Sequence, residues 1–506
     1  MKINTAVSAL CSVSVLLASA DSFAQQLYRI TDLKTLGGRT TVGVSINATG
    51  QVTGESTLAS GARRAFYWNG RKMVNVGTLG GTESHGSSIN NDGHIGGVST
   101  LAGGQYMVPF IWDGFTMRNL GTLGFAEGNA IALNNNGQMT GTVCGGNCRA
   151  YLWDGTEMRN LGTLPGGASS FGNAINTSGQ VAGTAYAADG NVHAFLWDGT
   201  RLIDLGTLSG GVYSDAQSLN ASGQVTGSSS LAGGETVHAF VWNGTAMVDL
   251  GVLGGGDFSE GHAINAAGQI TGGASISDDT IRAFLWDGLS MRNLGVPPNG
   301  KGSLGRKISP LGHVLGDYTH ITLGLRPFLW DGVSIRDLNA TVDPSDPLKK
   351  YVILKEGRDI NRRGHIVVTG NDKRVGTAIN TTRTYVLTPM EYQLEMIAPA
   401  ASSHWTTGRI VRISGVLADA NGVRISDARA TSLLESVCNV KFAATGAQSL
   451  AAVCMNYDPT KNEFFFNWKL GASGSGATTL KIAATYKFSM PQTITTSRSR
   501  TIIVTQ

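Results

Sequence analysis

The side chains best equipped for chemistry in this chain of 506 residues are carboxylates that recur at one place in a repeated pattern. Asp215, Glu260 and Glu356 are three of them. Glycoside hydrolysis needs two carboxyls about 5 to 9.5 Å apart, and Asp215 with Glu260, or Glu260 with Glu356, are the available pairs. A second constellation sets imidazole, indole and carboxylate in close order: His193 before Trp197-Asp198, and His238 before Trp242-Asn243. Arg149 and Arg282 occupy the same place in other copies, and a guanidinium does not coordinate a metal. No metal site is therefore expected there. Zinc-ligand spacing, an EF-hand loop, a phosphate-binding glycine loop and a Gly-x-Ser-x-Gly elbow are all missing from the sequence. No cofactor is expected and no catalytic residue is assigned.

These residues are positioned by a repeat. Trp68, Trp112, Trp153, Trp197, Trp242, Trp286 and Trp330 follow one another at spacings of 44, 41, 44, 45, 44 and 44 residues. A period in that range means a solenoid or a propeller. Each unit divides into four short strand candidates. The first ends in Ile-Asn, as at Ile175-Asn176, and Asn-x-x-Gly then supplies residues that tolerate positive φ in a tight hairpin. The second is Gln51-Val-Thr-Gly54 and its copies; a variable polar loop leads to the third, Ala65-Phe-Tyr-Trp68. Asp/Asn-Gly, as at Asp113-Gly114, marks the next hairpin. The fourth alternates, as in Met117-Arg-Asn-Leu120. Four antiparallel strands per 40–45 residues are the blade of a β-propeller.

The seventh unit has Ser309 where the others have Asn. The eighth keeps three strands, and an unaccompanied fourth-strand sequence, Tyr28–Leu36, stands at the start of the chain. We therefore expect an all-β, eight-bladed propeller closed by the N-terminal strand, with seven blades as the alternative. Closure would remove exposed sheet edges. The recurrent tryptophans are expected in the blade cores rather than as sugar-stacking platforms, and the Asp/Asn after each as turn residues.

Function is then expected where the copies disagree. Just before the Asn of each first strand lies one small residue, and beside it a freely changing one: Val42, His85, Asn129, Phe171, Asp215, Glu260, Leu304 and Glu356. First strands of a propeller line its channel, so the small residue is expected to meet crowding near the axis. The changing residues, with His262, Arg306 and Arg358, are expected at one channel mouth together with the variable loops between second and third strands, such as Glu55–Arg63. His85, Asn129, Phe171, Asp215, Glu260, His262, Arg306, Glu356 and Arg358 form the candidate ligand-binding set. A non-catalytic binding module for a glycan, a cell-surface component or a protein is the expected function. The alternatives are a polysaccharide-active enzyme and a structural surface protein without a discrete ligand.

The recurrence of His-Ala-Phe, Leu-Gly-Thr-Leu-Gly-Gly and Ile-Asn-x-x-Gly-Gln-Val-x-Gly resembles the bacterial extracellular HAF-repeat family over roughly residues 28–389. The run from Asp337-Leu-Asn339 to Tyr385-Val-Leu-Thr-Pro389 is similar to the way those proteins end. Val108-Pro-Phe110 and Arg326-Pro-Phe328 depart from the His-Ala-Phe piece. The resemblance implies export and supplies no catalytic residues.

Composition agrees with many glycine-punctuated strands: 69 glycines in 506 residues is about twice the usual 7%. Residues 391–506 carry 11 Lys+Arg against 7 Asp+Glu, which leaves the preceding chain balanced at 28 of each. A neutral body lacks the dense basic face of a nucleic-acid binder. Lys2, the apolar run Ala6–Ala20 and the small residues at Ser22-Phe-Ala24 read as a signal peptide over residues 1–24, so the mature protein is expected to be secreted or periplasmic, with no membrane span. Cleavage leaves Cys144, Cys148, Cys438 and Cys454. An even count in an exported protein favours disulfides, and the local pairings Cys144–Cys148 and Cys438–Cys454 are expected. Residues 25–390 form the repeat region. Past Pro389 the rhythm stops, and alternating stretches at Arg409–Leu417, Glu463–Trp468, Thr479–Tyr486 and Thr501–Thr505 suit an immunoglobulin-like β-sandwich over residues 391–506.

Overall fold

A computed structural model of the protein describes residues 27–375 and 381–390, and beyond them the backbone of the strands within 392–505. The chain divides into two compact units, one spanning Gln25–Met390 and one beginning at Glu391. The first unit is an eight-bladed β-propeller, so the seven-blade alternative is excluded. Its sheets follow the repeat: in blade 5, for example, Ser214–Leu219, Val225–Ser230, Val237–Trp242 and Met247–Asp249 lie side by side in chain order. First strands of neighbouring blades touch one another, which makes them the inner strands of the ring. Blade 3 departs from the pattern, its inner strand being split into Glu127–Gly128 and Ala132–Leu133. Blade 8 consists of Val352–Ile360, Ile366–Asp372 and Arg383–Pro389, with Tyr28–Asp32 antiparallel to the last of these.

Each repeat motif has a physical task. The aromatic of the third strand, Phe66, Phe110, Tyr151, Phe195, Phe240, Phe284, Phe328 or Tyr385, is fully buried, one to a blade. The glycine on the adjoining second strand makes room for it: a Cβ on Gly97, Gly183 or Gly316 would run into the ring of Phe110, Phe195 or Phe328. Trp68, Trp112, Trp153 and Trp330 are buried, and Trp197, Trp242 and Trp286 are half-buried against the same clusters. The Asp/Asn-Gly pair closes the third-to-fourth hairpin, where Asp113 Oδ1 accepts from the backbone N–H groups of Phe115 and Thr116 at 2.9 and 2.8 Å. Gly114 follows at φ 104°, a conformation that a Cβ would strain.

The asparagine ending each inner strand joins the blades. Within blade 5, Asn220 Oδ1 accepts from Ser222 N and Gln224 N, both at 3.0 Å, and its amide donates to Gln224 Oε1 at 2.7 Å. The same amide crosses to the next blade and donates to Asn265 O at 3.2 Å. Equivalent bonds run from Asn47 to Asn90 O, Asn90 to Asn134 O, Asn134 to Asn176 O, Asn176 to Asn220 O and Asn265 to Ser309 O, and from Asn361 back to Asn47 O at 2.9 Å. Ser309 has no amide to offer, and its hydroxyl turns inward to accept from Leu311 N and His313 N. The seam between blades 7 and 8 is held differently: Asn339 bonds both backbone groups of Leu354, and Leu315, Leu329, Leu338 and Leu354 share one apolar cluster.

A serine at the start of the inner strands makes a second seam. Ser214 Oγ accepts from Ala194 N at 2.8 Å and donates to Gly206 O at 2.6 Å, both in the preceding blade, and Ser259 and Ser303 repeat this.

The C-terminal unit contains two sheets. One is built from Tyr392–Ala398, Ile410–Asp419, Glu463–Lys469 and Asn456–Asp458; the other comprises His404–Thr406, Thr493–Thr505, Gly476–Lys487, Val440–Gly446 and Leu450–Cys454. Within the second, His404–Thr406 runs parallel to Thr493–Thr505. The signal-peptide reading of residues 1–24 and the pairing of Cys438 with Cys454 lie outside the described residues. Cys144 and Cys148 stand directly opposite across the blade-3 hairpin and are joined by a disulfide. Among the described residues no helix is long and apolar enough to cross a membrane.

Asn220→Ala, which removes four side-chain hydrogen bonds, one of them the inter-blade link, should lower unfolding stability by about 2–4 kcal/mol. Ser309→Asn should raise it by about 1 kcal/mol by supplying the missing amide donor to Asn361 O; denaturant midpoints of both variants against the parent protein check the pair.

Candidate functional site

The small inner-strand residue and its changing neighbour face opposite constraints. A Cβ on Gly86, Gly172, Gly261 or Gly305 would collide with Thr53, Thr140, Thr226 or Thr271 on the second strand of the preceding blade. The crowding thus comes from the adjoining blade, not from the channel axis as the sequence suggested. The changing residue pairs in register with a second-strand residue of its own blade: Val42 with Glu55, Phe171 with Thr184, Asp215 with Ser228, Leu304 with Asp317 and Glu356 with Thr369. It also reaches the matching second-strand residue one blade back. His85 Nδ1 bonds Glu55 Oε2, Thr184 Oγ1 donates to Asp215 Oδ1, and Leu304 overlies Gly273.

Most polar members of the candidate set are engaged, some within their own blade and some across a blade boundary. Asp215 also accepts from Gln217 and, at 3.4 Å, from Asn173, whose amide donates to Ala216 O at 2.9 Å. His262 stands where Asn173 does and makes the same crossing, to Gly305 O at 2.9 Å, while its Nε2 lies 2.9 Å from Glu260 Oε1. That bond holds the Glu260 carboxyl below its ordinary range. Arg358 pairs with Glu356, and Arg306 Nε lies 3.5 Å from Asp317 Oδ2. Asn129 is exposed; its Oδ1 accepts from Thr142 N at 2.7 Å where the blade-3 strand is split. Phe171, the apolar member of the set, is half-buried, as is the changing residue Leu304 of blade 7. Asp215 and Glu260 fall on adjacent blades, whereas blade 7 separates Glu260 from Glu356.

Asp317 differs from the other acids. It is 7% exposed, and its Oδ1 accepts from Gly357 N across the seam between blades 7 and 8 at 3.1 Å. Burial pushes its carboxyl up to about 6, against the opposing pull of that hydrogen bond and of Arg306.

A cavity of about 710 Å³ opens in blade 1. Its walls come from the start of the inner strand (Gly38, Arg39, Thr40, Val42), from the second strand and its hairpin (Glu55, Thr57, Ser60, Arg63) and from Thr382 of blade 8. Here the changing inner-strand position and the variable hairpin meet in one concavity. Behind the wall, His85 of blade 2 holds Glu55, whose carboxyl lies below its ordinary range chiefly because of that bond. His85 Nε2 lies 3.7 Å from Glu83 Oε2, and Arg63 lies 3.6 Å from the same oxygen. Among the described residues the cavity wall contains no aromatic side chain.

Of the nine candidate residues, only His85 reaches this cavity's wall, through Glu55. Sequence reasoning named Glu55 and Arg63 as the bounds of a variable loop but did not pair the second-strand position with the changing inner-strand one. The residue after the second-strand glycine changes as freely as the inner-strand one (Glu55, Val98, Thr142, Thr184, Ser228, Gly273, Asp317), and that variation was the available signal. His193 and His238 instead bond Asp204 and Asp249 of their own outer strands at 3.0 and 2.9 Å. Arg149 and Arg282 at the same place reach the carbonyls of Ala168 and Lys301 in the connections to the next blade. Among the described residues no three His, Cys, Asp or Glu side chains are grouped to hold a metal ion.

No family model and no curated protein matches the chain. Solved structures resemble it in fold. A puromycin hydrolase is 11% identical with a TM-score of 0.38 over 74% of this chain and 62% of its own, so this chain spans less than two thirds of that enzyme. A gluconolactonase from Xanthomonas campestris is 11% identical with a TM-score of 0.28, over 72% of this chain and 97% of that one. The six-bladed fucose-recognising lectin of Aleuria aurantia is 13% identical, with a TM-score of 0.25 over 53% of this chain and 96% of its own. At such scores these likenesses assign neither activity nor ligand.

A carboxyl raised from 3.8 to about 6 in the folded protein contributes stability below the lower value that is lost as pH rises through the higher one. Asp317→Asn should therefore become progressively more stable than the parent protein between pH 4 and 7, by up to roughly 3 kcal/mol. Paired denaturation curves across that interval measure the difference, and a constant gap would contradict the assignment.

Proposed function

We propose that the protein is an exported, non-catalytic saccharide-binding module whose ligand enters the blade-1 cavity. The observation that carries this reading is the cavity itself. It forms where two elements that differ from copy to copy, the inner-strand position and the second-to-third hairpin, converge on a scaffold that otherwise repeats. Its volume falls in the range of about 300–1,000 Å³ usual for small-molecule sites, and it opens on a loop face, where repeat proteins carry their binding residues. The resemblance to the HAF-repeat family, residues 1–24 as a signal peptide and the Cys144–Cys148 disulfide all support export, because disulfides persist in oxidising compartments. Residues 391–506 we read as an immunoglobulin-like accessory domain. The carboxylates once paired as hydrolase candidates are instead engaged by Gln217, His262 and Arg358, which favours binding over hydrolysis.

We also read the pairing of Tyr28–Asp32 with Arg383–Pro389 as the closure of the ring. Ile30 N donates to Asp346 Oδ2 at 2.8 Å and Asp343 N to Tyr28 O at 2.9 Å, so the N-terminal strand is fixed from a second side as well.

Ser60→Trp, at the exposed tip of the hairpin, would fill the cavity without touching the asparagine ring. On a glycan array the mature protein should bind a subset of saccharides, and Ser60→Trp should lose at least about tenfold in affinity with an unchanged unfolding midpoint. A mature protein that binds no saccharide on the array would sink the proposal.

A further inference from the structure

We infer that the blade-1 cavity selects saccharides bearing a carboxylate, with Arg39 as the principal ligand of that group and Arg63 beside it. The inference rests on the saccharide-binding reading and adds the ligand's chemical class. Three observations carry it. The first is the lining. Neutral sugars are commonly held by stacking on an aromatic face together with hydrogen bonds, but among the described residues this wall offers arginine, threonine and serine and no aromatic ring. Recognition must then rest on charge and hydrogen bonding, and a guanidinium matches a carboxylate bidentately.

The second is where the charges fall in the repeat. Arg63 stands one residue before the His/Arg position of the third strand, where other copies carry Val192, Val237, Ile281 or Leu325. Arg39 stands two residues before the inner-strand hydroxyl Thr41, where other copies carry Thr82, Ala168, Val212, Asp257 and Lys301. Arg63 thus departs from an apolar position and Arg39 stands at a freely varying one, and blade 1 brings both cations to the wall of one cavity.

The third is the balance of charge within the site. Glu55 is the acid on the wall, and His85 is hydrogen-bonded to it. Arg63 is shared with Glu83 at 3.6 Å. The Arg39 side chain has no hydrogen-bond or ion-pair partner among the described residues, is exposed, and lines the cavity. An unengaged guanidinium among hydroxyls is a ready ligand for an anion, and the cavity has room for more than a simple one. A uronic acid residue, with a carboxylate for Arg39 and hydroxyls for Thr40, Ser60 and the glycine backbone, matches this wall.

The test uses the mature protein and its Arg39→Ala, Arg39→Lys and Ser60→Trp variants, titrated with trigalacturonate and with the carboxyl-reduced, neutral trisaccharide. Trigalacturonate should bind at least about tenfold more tightly than the neutral sugar. Arg39→Ala should abolish that preference, Arg39→Lys should restore part of it, and binding should weaken with added salt. Equal binding of the two sugars, with Arg39→Ala silent and Ser60→Trp disruptive, would overturn the charge selection while leaving the saccharide site standing. Displacement of trigalacturonate by equimolar acetate would overturn it too, by showing a site for any carboxylate. If neither sugar binds and the array is also blank, both readings fall together.

Discussion

The architecture depends on one side chain used repeatedly. An asparagine at the end of each inner strand has four hydrogen-bonding positions, two accepting and two donating. In blade 5 two backbone N–H groups, a glutamine oxygen and the neighbouring blade's carbonyl use all of them. The residue that shapes the hairpin is therefore also the residue that seats the next blade. A glutamine could not replace it, because the extra methylene would move the amide away from its own turn. Elsewhere the blades meet through apolar surfaces, which set proximity but not register, and through the inner-strand serines at the other end of the seam. The asparagine chain supplies register, at bonds of 2.8 to 3.3 Å around the ring.

Variation is possible only where this scaffold does not need a particular group. The inner-strand glycine is confined by the preceding blade, and the second-strand glycine by the carbonyl of the changing inner-strand residue and, in blades 2, 4 and 7, by the aromatic ring as well. The residue beside the inner-strand glycine is confined by neither. It faces a second-strand residue that is equally unconstrained, and the two positions have acquired matched chemistry across blade boundaries, as in His85 with Glu55 and Asp215 with Thr184. Most of these matches consume the polar groups they contain. Blade 1 leaves groups over, because two arginines stand on its rim and only one of them is engaged.

Much of this was legible before any coordinates. Period, strand count, hairpin chemistry and the Cys144–Cys148 pairing follow from local signals: tryptophan spacing, Asn-x-x-Gly, Asp-Gly, and two cysteines four residues apart. What resisted was everything set by the seam between blades. The glycines announced crowding but not its source, since an axis and an adjoining blade demand the same residue. The substitution at Ser309 was visible, whereas its effect, a joint without an amide, requires knowing what the amide reaches. Glu55 was visible as the start of the variable Glu55–Arg63 loop, but its partner was not. Its partner His85 lies thirty residues away, in the next repeat.

Blade 8 is held by carboxylates on both sides. On one side Asp317 of blade 7 accepts from Gly357 N; on the other Asp359 accepts from Ile46 N of blade 1 at 2.9 Å, and burial raises both carboxyls above their ordinary values. The amide joints elsewhere do not titrate. Acidification therefore acts at both boundaries of blade 8 by protonating Asp317 and Asp359, which favours the seating of that blade. Mild acid settles the eighth blade more firmly between its neighbours, whereas Glu55 and Glu260, held low by His85 and His262, respond only below the ordinary carboxylate range. The carboxyls that burial raises thus sit together in the seams of a single blade.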